Sequence, residues 1–145
     1  MKSQLYMVGL DGSEWSERAT EKAIHLASQT GASVELVHVL DFAHIQPAVV
    51  EGMAPPTMDP KEEERISNTN VIAPIIEKFA ASNVTISSVQ VWGNPVEVLH
   101  DRVKKNHATM VFVGRRGRSR LANLFLGSVA NKLAHCISIP IVLVP

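Results

Sequence analysis

The residues best suited to chemistry fall in two short stretches. The first is Asp11-Gly12-Ser13, a carboxylate, a flexible glycine and a hydroxyl. The second runs from Met110 to Ala130 and carries Gly114, Gly117 and Gly127, with Ser128 directly after the last, a spacing of Gly-x2-Gly-x9-Gly-Ser. Glycine lets a backbone take positive φ and approach a ligand closely. A Gly-Ser pair at a helix start offers free amides, a hydroxyl and the positive end of the helix dipole. Arg115, Arg116, Arg118 and Arg120 crowd the same loop. Together these groups suit a polyphosphate. The plainer reading is a strand-to-helix loop with solvated arginines, in which Asp11 and Ser128 only cap helices.

The charge distribution points the same way. The chain of 145 residues is neutral overall. Residues 1–100 carry 6 basic and 13 acidic side chains, whereas residues 101–145 carry 8 basic and 1 acidic. The positive excess surrounds the glycine loop and favours an anionic ligand. Overall neutrality and few aromatics argue against a general nucleic-acid binder. One cysteine, Cys136, rules out an internal disulfide, and no apolar run approaches the ~18–20 residues of a membrane span. A cytoplasmic location is the expectation.

These groups need a scaffold, and the apolar pattern supplies one. Leu5–Leu10 reads as a buried strand, followed by a helix with Ala19, Ala23, Leu26 and Ala27 on one face and Gly31 at its end. Ser33–Leu40 is a second strand. Asp41–Met58 has no period and reads as a long loop, with Met53 and Met58 expected over the site. Asp59-Pro60-x-Glu62 opens a helix of about six turns, which Pro74 should kink or split. Val84–Val91 is a third strand. Asn94-Pro95-x-Glu97 caps a helix reaching His107, and Thr109–Val113 is the fourth strand. A helix over Ser128–His135 and a strand over Ile139–Val144 complete the order β-α-β-α-β-α-β-α-β. That order implies one α/β domain over residues 1–145, a parallel sheet with helices on both faces. Ligands of such sheets bind beyond the strand C-termini where the strand order reverses. If strands 1 and 4 are neighbours, the two chemical stretches share a crevice.

The common phosphate motifs are absent: there is no Gly-x4-Gly-Lys-Ser/Thr and no Gly-x-Gly-x-x-Gly. Instead, Gly-x2-Gly-x9-Gly-Ser with Asp11-Gly12-Ser13 resembles the universal stress protein family. His38-Val39-Leu40-Asp41 and Gly93-Asn94-Pro95 are similar to that family too, so the likeness spans essentially the whole chain. The glycine motif marks the family's ATP-binding branch. The resemblance implies a five-stranded doubly wound sheet in the order 3-2-1-4-5, with ATP and its Mg²⁺ between strands 1 and 4. Asp11 then faces the ribose or the metal, and Val39 meets the adenine through its backbone. Gly114 and Gly117 let the loop pass close to ribose and phosphates, while Gly127, Ser128 and Val129 donate to the phosphates. Leu10, Val113, Arg115, Arg118 and Ala130 complete the implied contact set, although Ala130 stands where some relatives carry a hydroxyl. The resemblance also implies a homodimer through antiparallel pairing of strand 139–144, which would cover an open apolar edge.

Catalysis is not legible in the sequence. Asp11 is the one acid placed at the expected crevice, and no Ser-His-Asp or Cys-His arrangement can be read. A nucleotide-dependent regulatory protein is therefore the leading reading, a slow ATPase or autophosphorylating enzyme the alternative, and an interaction module with a purely structural glycine loop the third. His38 is expected in the core, Cys136 is expected to be buried, and the histidines lack a zinc-ligand pattern. Gly9, where a larger residue is expected in a buried strand, has no explanation at this level.

Overall fold

The computed structural model describes residues 2–41, 51–52, 59–117 and 126–145. The expectations placed on Met53, Met58, Arg118, Arg120 and most of the Asp41–Met58 loop lie outside these residues. In chain order the elements are β1 (Leu5–Leu10), α1 (Glu14–Thr30), β2 (Ser33–Leu40), α2 (Pro60–Ser67), a π-helical turn (Asn68–Ile72), α3 (Ala73–Lys78), β3 (Ile86–Trp92), α4 (Pro95–Asn106), β4 (Met110–Gly114), α5 (Ser128–Cys136) and β5 (Ile141–Val144). The sheet is parallel in the order β3-β2-β1-β4-β5, as the resemblance implied.

Alternation along the strands divides the core in two. Tyr6, Val8, Leu10, Leu36 and Phe112 face α1 and the α2–α3 run, meeting Ala19, Ala23, Ile24, Val71 and Ile75. Met7, Val37, Val111 and Val113 face α4 and α5, meeting Leu99, Val103, Ala130 and Leu133. Each large side chain buried here stabilises the fold by roughly 1.5–3 kcal/mol. Gly9 belongs to this second face. A Cβ there would lie 3.3 Å from Leu99 Cδ1 and 3.3 Å from Val113 Cγ1, so glycine is what lets α4 settle onto β1.

The helix starts follow their caps. Ser13 opens α1, its hydroxyl accepting the Ser16 N–H at 3.2 Å, and Gly31 closes it at φ 76°, its N–H donating to the Ala27 carbonyl. Asp59 and Asn94 cap α2 and α4 in the same way, each followed by proline.

The expected division of the 60–78 run falls just ahead of Pro74, as a π-helical turn, and two strand boundaries differ from the expectation. The ladder widens just ahead of the proline, where Ala73 N–H reaches back to the Asn68 carbonyl, and helical backbone continues to Lys78. Strand β3 begins at Ile86, with Val84 packed beneath the sheet instead. Strand β5 begins at Ile141, because Pro140 has no N–H to pair. The Pro140 carbonyl still accepts Val111 N–H at 3.0 Å, while Ile137 and Ile139 pack toward α4 and α5. His38 is buried as expected, at 3% exposure. Cys136, expected to be buried, is exposed at the end of α5, one turn past the inward-facing Leu133.

Candidate functional site

The sheet order makes β1 and β4 neighbours, with Tyr6, Met7 and Val8 level with Met110, Val111 and Phe112. Continued along the strands, that register sets Leu10 beside Gly114. The Asp11 turn and the glycine loop therefore leave the sheet side by side. The two halves foreseen from spacing alone meet at one strand edge.

Asp11 is held in a tight turn. Its Oδ1 accepts the Ser13 N–H at 2.9 Å and the Ser13 hydroxyl at 2.5 Å, and its own N–H donates to Ser16 Oγ at 3.3 Å. Gly12, at φ 81°, supplies the left-handed step this turn requires. With Oδ1 engaged, Oδ2 is the oxygen turned toward the glycine loop. A Cβ on Gly117 would lie 2.7 Å from it, closer than side chains tolerate.

The other two glycines also sit where chains crowd. A Cβ on Gly114 would lie 2.6 Å from Trp15 Cβ and 2.9 Å from the Arg116 carbonyl oxygen, pinned between the first turn of α1 and its own loop. A Cβ on Gly127 would lie 3.4 Å from Arg116 Cα and from the Arg115 carbonyl oxygen. The loop is tied down at both ends, Arg115 N–H donating to Val144 and Gly127 N–H to Arg115, each at 2.7 Å. These glycines thus serve chain-on-chain packing as well as any ligand, and the crowding is tightest at Gly114.

At the start of α5 the structure changes one assignment. Gly127, not Ser128, is the N-cap residue, and no side chain caps it. Ser128 is the first helical residue and is exposed. The first intrahelical bond runs from Asn131 N–H to the Gly127 carbonyl at 2.9 Å, so the amides of Ser128, Val129 and Ala130 have no intrahelical acceptor. They point out of the helix start with the positive end of its dipole, worth roughly 0.3–1 kcal/mol to an anion in a surface setting.

The remaining expected positions differ in exposure. The side chains of Leu10, Val113 and Ala130 are each at most 5% exposed and belong to the core. The hydroxyl that Ala130 lacks would therefore have been buried. Val39 is half-buried and lies one residue past His38, the β2 residue level with the end of β1, so its backbone borders the crevice. Arg115 is exposed, and Arg118 lies outside the described residues.

Two contributors went unassigned by the sequence. Ser13, named in the sequence only as the last residue of Asp11-Gly12-Ser13, caps α1 in place of Asp11 and also fixes the Asp11 carboxylate. Arg116, one of four neighbouring arginines, is half-buried, and its Nε is shielded from water with no hydrogen-bond partner among the described residues. Leaving such a donor unpaired costs about 1–3 kcal/mol or more for a charged group. No motif distinguishes it from Arg115, because only the course of the loop decides which side chain turns inward. Among the described residues, no three of His, Cys, Asp and Glu group closely enough to hold a metal ion by themselves.

Comparison with known proteins agrees with this architecture. The universal stress protein family model matches residues 6–145. The universal stress protein YxiE of Bacillus subtilis is 26% identical over 142 residues, covering 95% of this chain and 96% of that one. The solved structure of universal stress protein UspA from Lactobacillus plantarum has a TM-score of 0.79 and 14% identity, over 100% of this chain and 99% of that chain. A universal stress protein solved in complex with cAMP has a TM-score of 0.68 and 24% identity, over 100% and 98% of the two chains. A family match over nearly every residue, joined to a fold shared end to end with solved members, makes this chain a member of the universal stress protein family.

Proposed function

We propose that this protein binds an adenine nucleotide, ATP carried with Mg²⁺, in the crevice between β1 and β4, and that occupancy regulates its interactions during stress. The observation that carries this reading is the meeting of Gly117 with Asp11 Oδ2, 2.7 Å from a built Cβ, which leaves a carboxylate oxygen and a bare backbone facing one another at the strand edge. A phosphorylated ligand needs donors that have no partner already. Among the described residues, the first-turn amides of α5 and the Arg116 Nε have no acceptor, so the residues present fit the group.

In this reading the amides of Ser128, Val129 and Ala130 hold phosphate oxygens, and Gly114 and Gly117 give the loop its close approach. The backbones of Leu10, Val39 and Val113 border the nucleoside, and Asp11 Oδ2 faces the ribose or the metal. Mg²⁺ commonly takes one or two carboxylates and completes its shell with phosphates and water, so a single Asp11 is compatible with it. A cAMP-bound relative supports an adenine ligand on this fold. Binding is favoured over turnover because Asp11 Oδ1 already accepts from Ser13, and phosphoryl transfer needs a free base or a water-orienting group.

The same reading includes a cytoplasmic location, in line with the lone cysteine. No helix among the described residues is long and apolar enough to cross a membrane. It also includes a homodimer through β5. That strand is an edge of the sheet, and Leu143 is 37% exposed along it. Monomer alone by light scattering at micromolar concentration contradicts the dimer.

The nucleotide is tested by heat-extracting purified protein and resolving the extract by ion exchange, with calorimetric titration of ATP alongside. The expected result is an adenine nucleotide in the extract and ATP binding that weakens in Asp11→Ala. Protein that is empty and shows no heat with ATP sinks the proposal.

A further inference from the structure

We infer that Ser16, in the first turn of α1, is a positioning residue that holds the Asp11 carboxylate ready for the ligand. This rests on the adenine-nucleotide reading and deepens it by one residue that meets no ligand itself. Ser16 is 3% exposed, so whatever it does for binding it does through Asp11.

A hydroxyl has one proton to give and two lone pairs. Ser16 uses both capacities on the same turn. Its O–H donates to the Ser13 carbonyl at 3.0 Å, and its oxygen accepts the Asp11 N–H at 3.3 Å. Its backbone N–H donates to Ser13 Oγ at 3.2 Å, and that hydroxyl donates in turn to Asp11 Oδ1 at 2.5 Å. Asp11 is therefore gripped at two points, its main-chain amide and one carboxylate oxygen. Both grips lead back to Ser16.

The turn needs such a grip. Gly12 follows Asp11 at φ 81°, and glycine is the residue with the most backbone freedom to lose. Without a tie ahead of that link, the Asp11 peptide is free to swing and the carboxylate with it. With Oδ1 held, Oδ2 is the oxygen that meets Gly117 at the strand edge. A group fixed in its bound geometry beforehand spares the ligand the cost of ordering it. Thr20 supplies an internal comparison. It lies one turn further along α1, is 0% exposed, and its hydroxyl donates to the Ser16 carbonyl at 2.9 Å. It makes a buried hydrogen bond of similar kind on the same helix, without a described bond to Asp11.

The test is calorimetric titration of ATP into the native protein, Ser16→Ala, Thr20→Val, Asp11→Ala and the double variant Ser16→Ala/Asp11→Ala, with urea unfolding of each. Ser16→Ala and Thr20→Val should lower the unfolding midpoint by similar amounts, since each removes one buried hydroxyl bond. ATP affinity should fall roughly five- to tenfold in Ser16→Ala, the fold-change of about one net hydrogen bond, and hold within about twofold in Thr20→Val. In the Asp11→Ala background, adding Ser16→Ala should change affinity by less than about twofold, because residues that act through one another are not additive. Hydrogen exchange reads the same tie without ligand: the Asp11 amide should exchange faster in Ser16→Ala and not in Thr20→Val.

Native ATP affinity in Ser16→Ala overturns the inference. So does an equal loss in Thr20→Val, which would make affinity follow stability, or an equal loss on adding Ser16→Ala to Asp11→Ala. An unchanged Asp11 amide in Ser16→Ala overturns it as well. If Ser16→Ala melts too low to titrate, Ser16→Cys takes its place, with a thiol as the poorer acceptor. Reduced affinity in that variant supports the inference, and native affinity overturns it. Native protein that binds no ATP overturns the nucleotide reading and the inference with it. ATP binding that is equally tight in Asp11→Ala overturns the inference and leaves nucleotide binding standing.

Discussion

Two charged side chains stand near opposite ends of the strands, one buried and one half-buried, and their surroundings differ. Glu35, near the start of β2, is 7% exposed. Its carboxylate is fully engaged by α4: Arg102 Nε donates to Oε1 at 2.7 Å, Arg102 Nη2 lies 2.5 Å from the same oxygen, and Asn106 Nδ2 donates to Oε2 at 2.9 Å. Arg116, beyond the end of β4, has its Nε shielded from water and no such company for it among the described residues. A buried charge is tolerated when its neighbours complete it and is expensive when they do not. One end of the sheet has closed its electrostatic account within the chain. At the other end, among the described residues, donors stay open at the corner where Asp11, Gly117 and the first turn of α5 converge.

The contrast is sharpest if one end can be broken without touching the other. Arg102→Ala strips Glu35 of its charge partner and should destabilise the fold by about 3 kcal/mol, the low end for a buried pair because Arg102 is 24% exposed. Urea unfolding measures it. Nucleotide affinity should stay unchanged where the variant remains folded, and a parallel loss of affinity breaks the separation of the two ends. Next in size is Gly114→Ala at the open end. Its methyl group would press on Trp15 and the Arg116 carbonyl, and overpacking of this kind costs about 1–3 kcal/mol. Because that strain displaces the loop, ATP affinity should fall with stability; a variant as stable as native refutes the close packing. The smallest pair concerns the two serines. Ser13→Ala should cost about 1 kcal/mol through loss of its N-cap bond, whereas Ser128→Ala should cost less than about 0.5 kcal/mol because Ser128 caps nothing. Equal effects in thermal melts contradict the assignment of Gly127 as the cap.

Much of the fold was legible because it rests on local pattern. The apolar runs of β1, β2 and β4 and the caps Asp59 and Asn94 need only their near neighbours to be read, and each stands within a residue or two of its expected place. The strand order and the crevice followed from the resemblance carried by the glycines. What was not legible depends on contacts distant in sequence. Glu35 reads as an ordinary polar strand position until Arg102, 67 residues later, arrives beside it. Gly9 makes sense only once α4 lies on β1. Ile137 and Ile139 continue the apolar run of β5 in sequence, and only the missing N–H of Pro140 and the pull of the core under α4 and α5 remove them from the strand. Arg115 and Arg116 are chemically identical, so the turn of the loop alone tells them apart.

The π-helical turn before Pro74 carries a consequence of its own. Each residue advances a helix by about 100° around its axis. A widened turn retards that advance, so it acts as a phase adjustment between α2 and α3. Upstream of it, no residue of α2 is buried; within and beyond it, Val71, Ile72 and Ile75 are buried. Removing one residue from Asn68–Ile72 would restore regular winding and swing the rest of the helix by about that angle, carrying its apolar stripe off the sheet. The irregular turn is what keeps one continuous rod in register with two surroundings, water at its start and the sheet at its end.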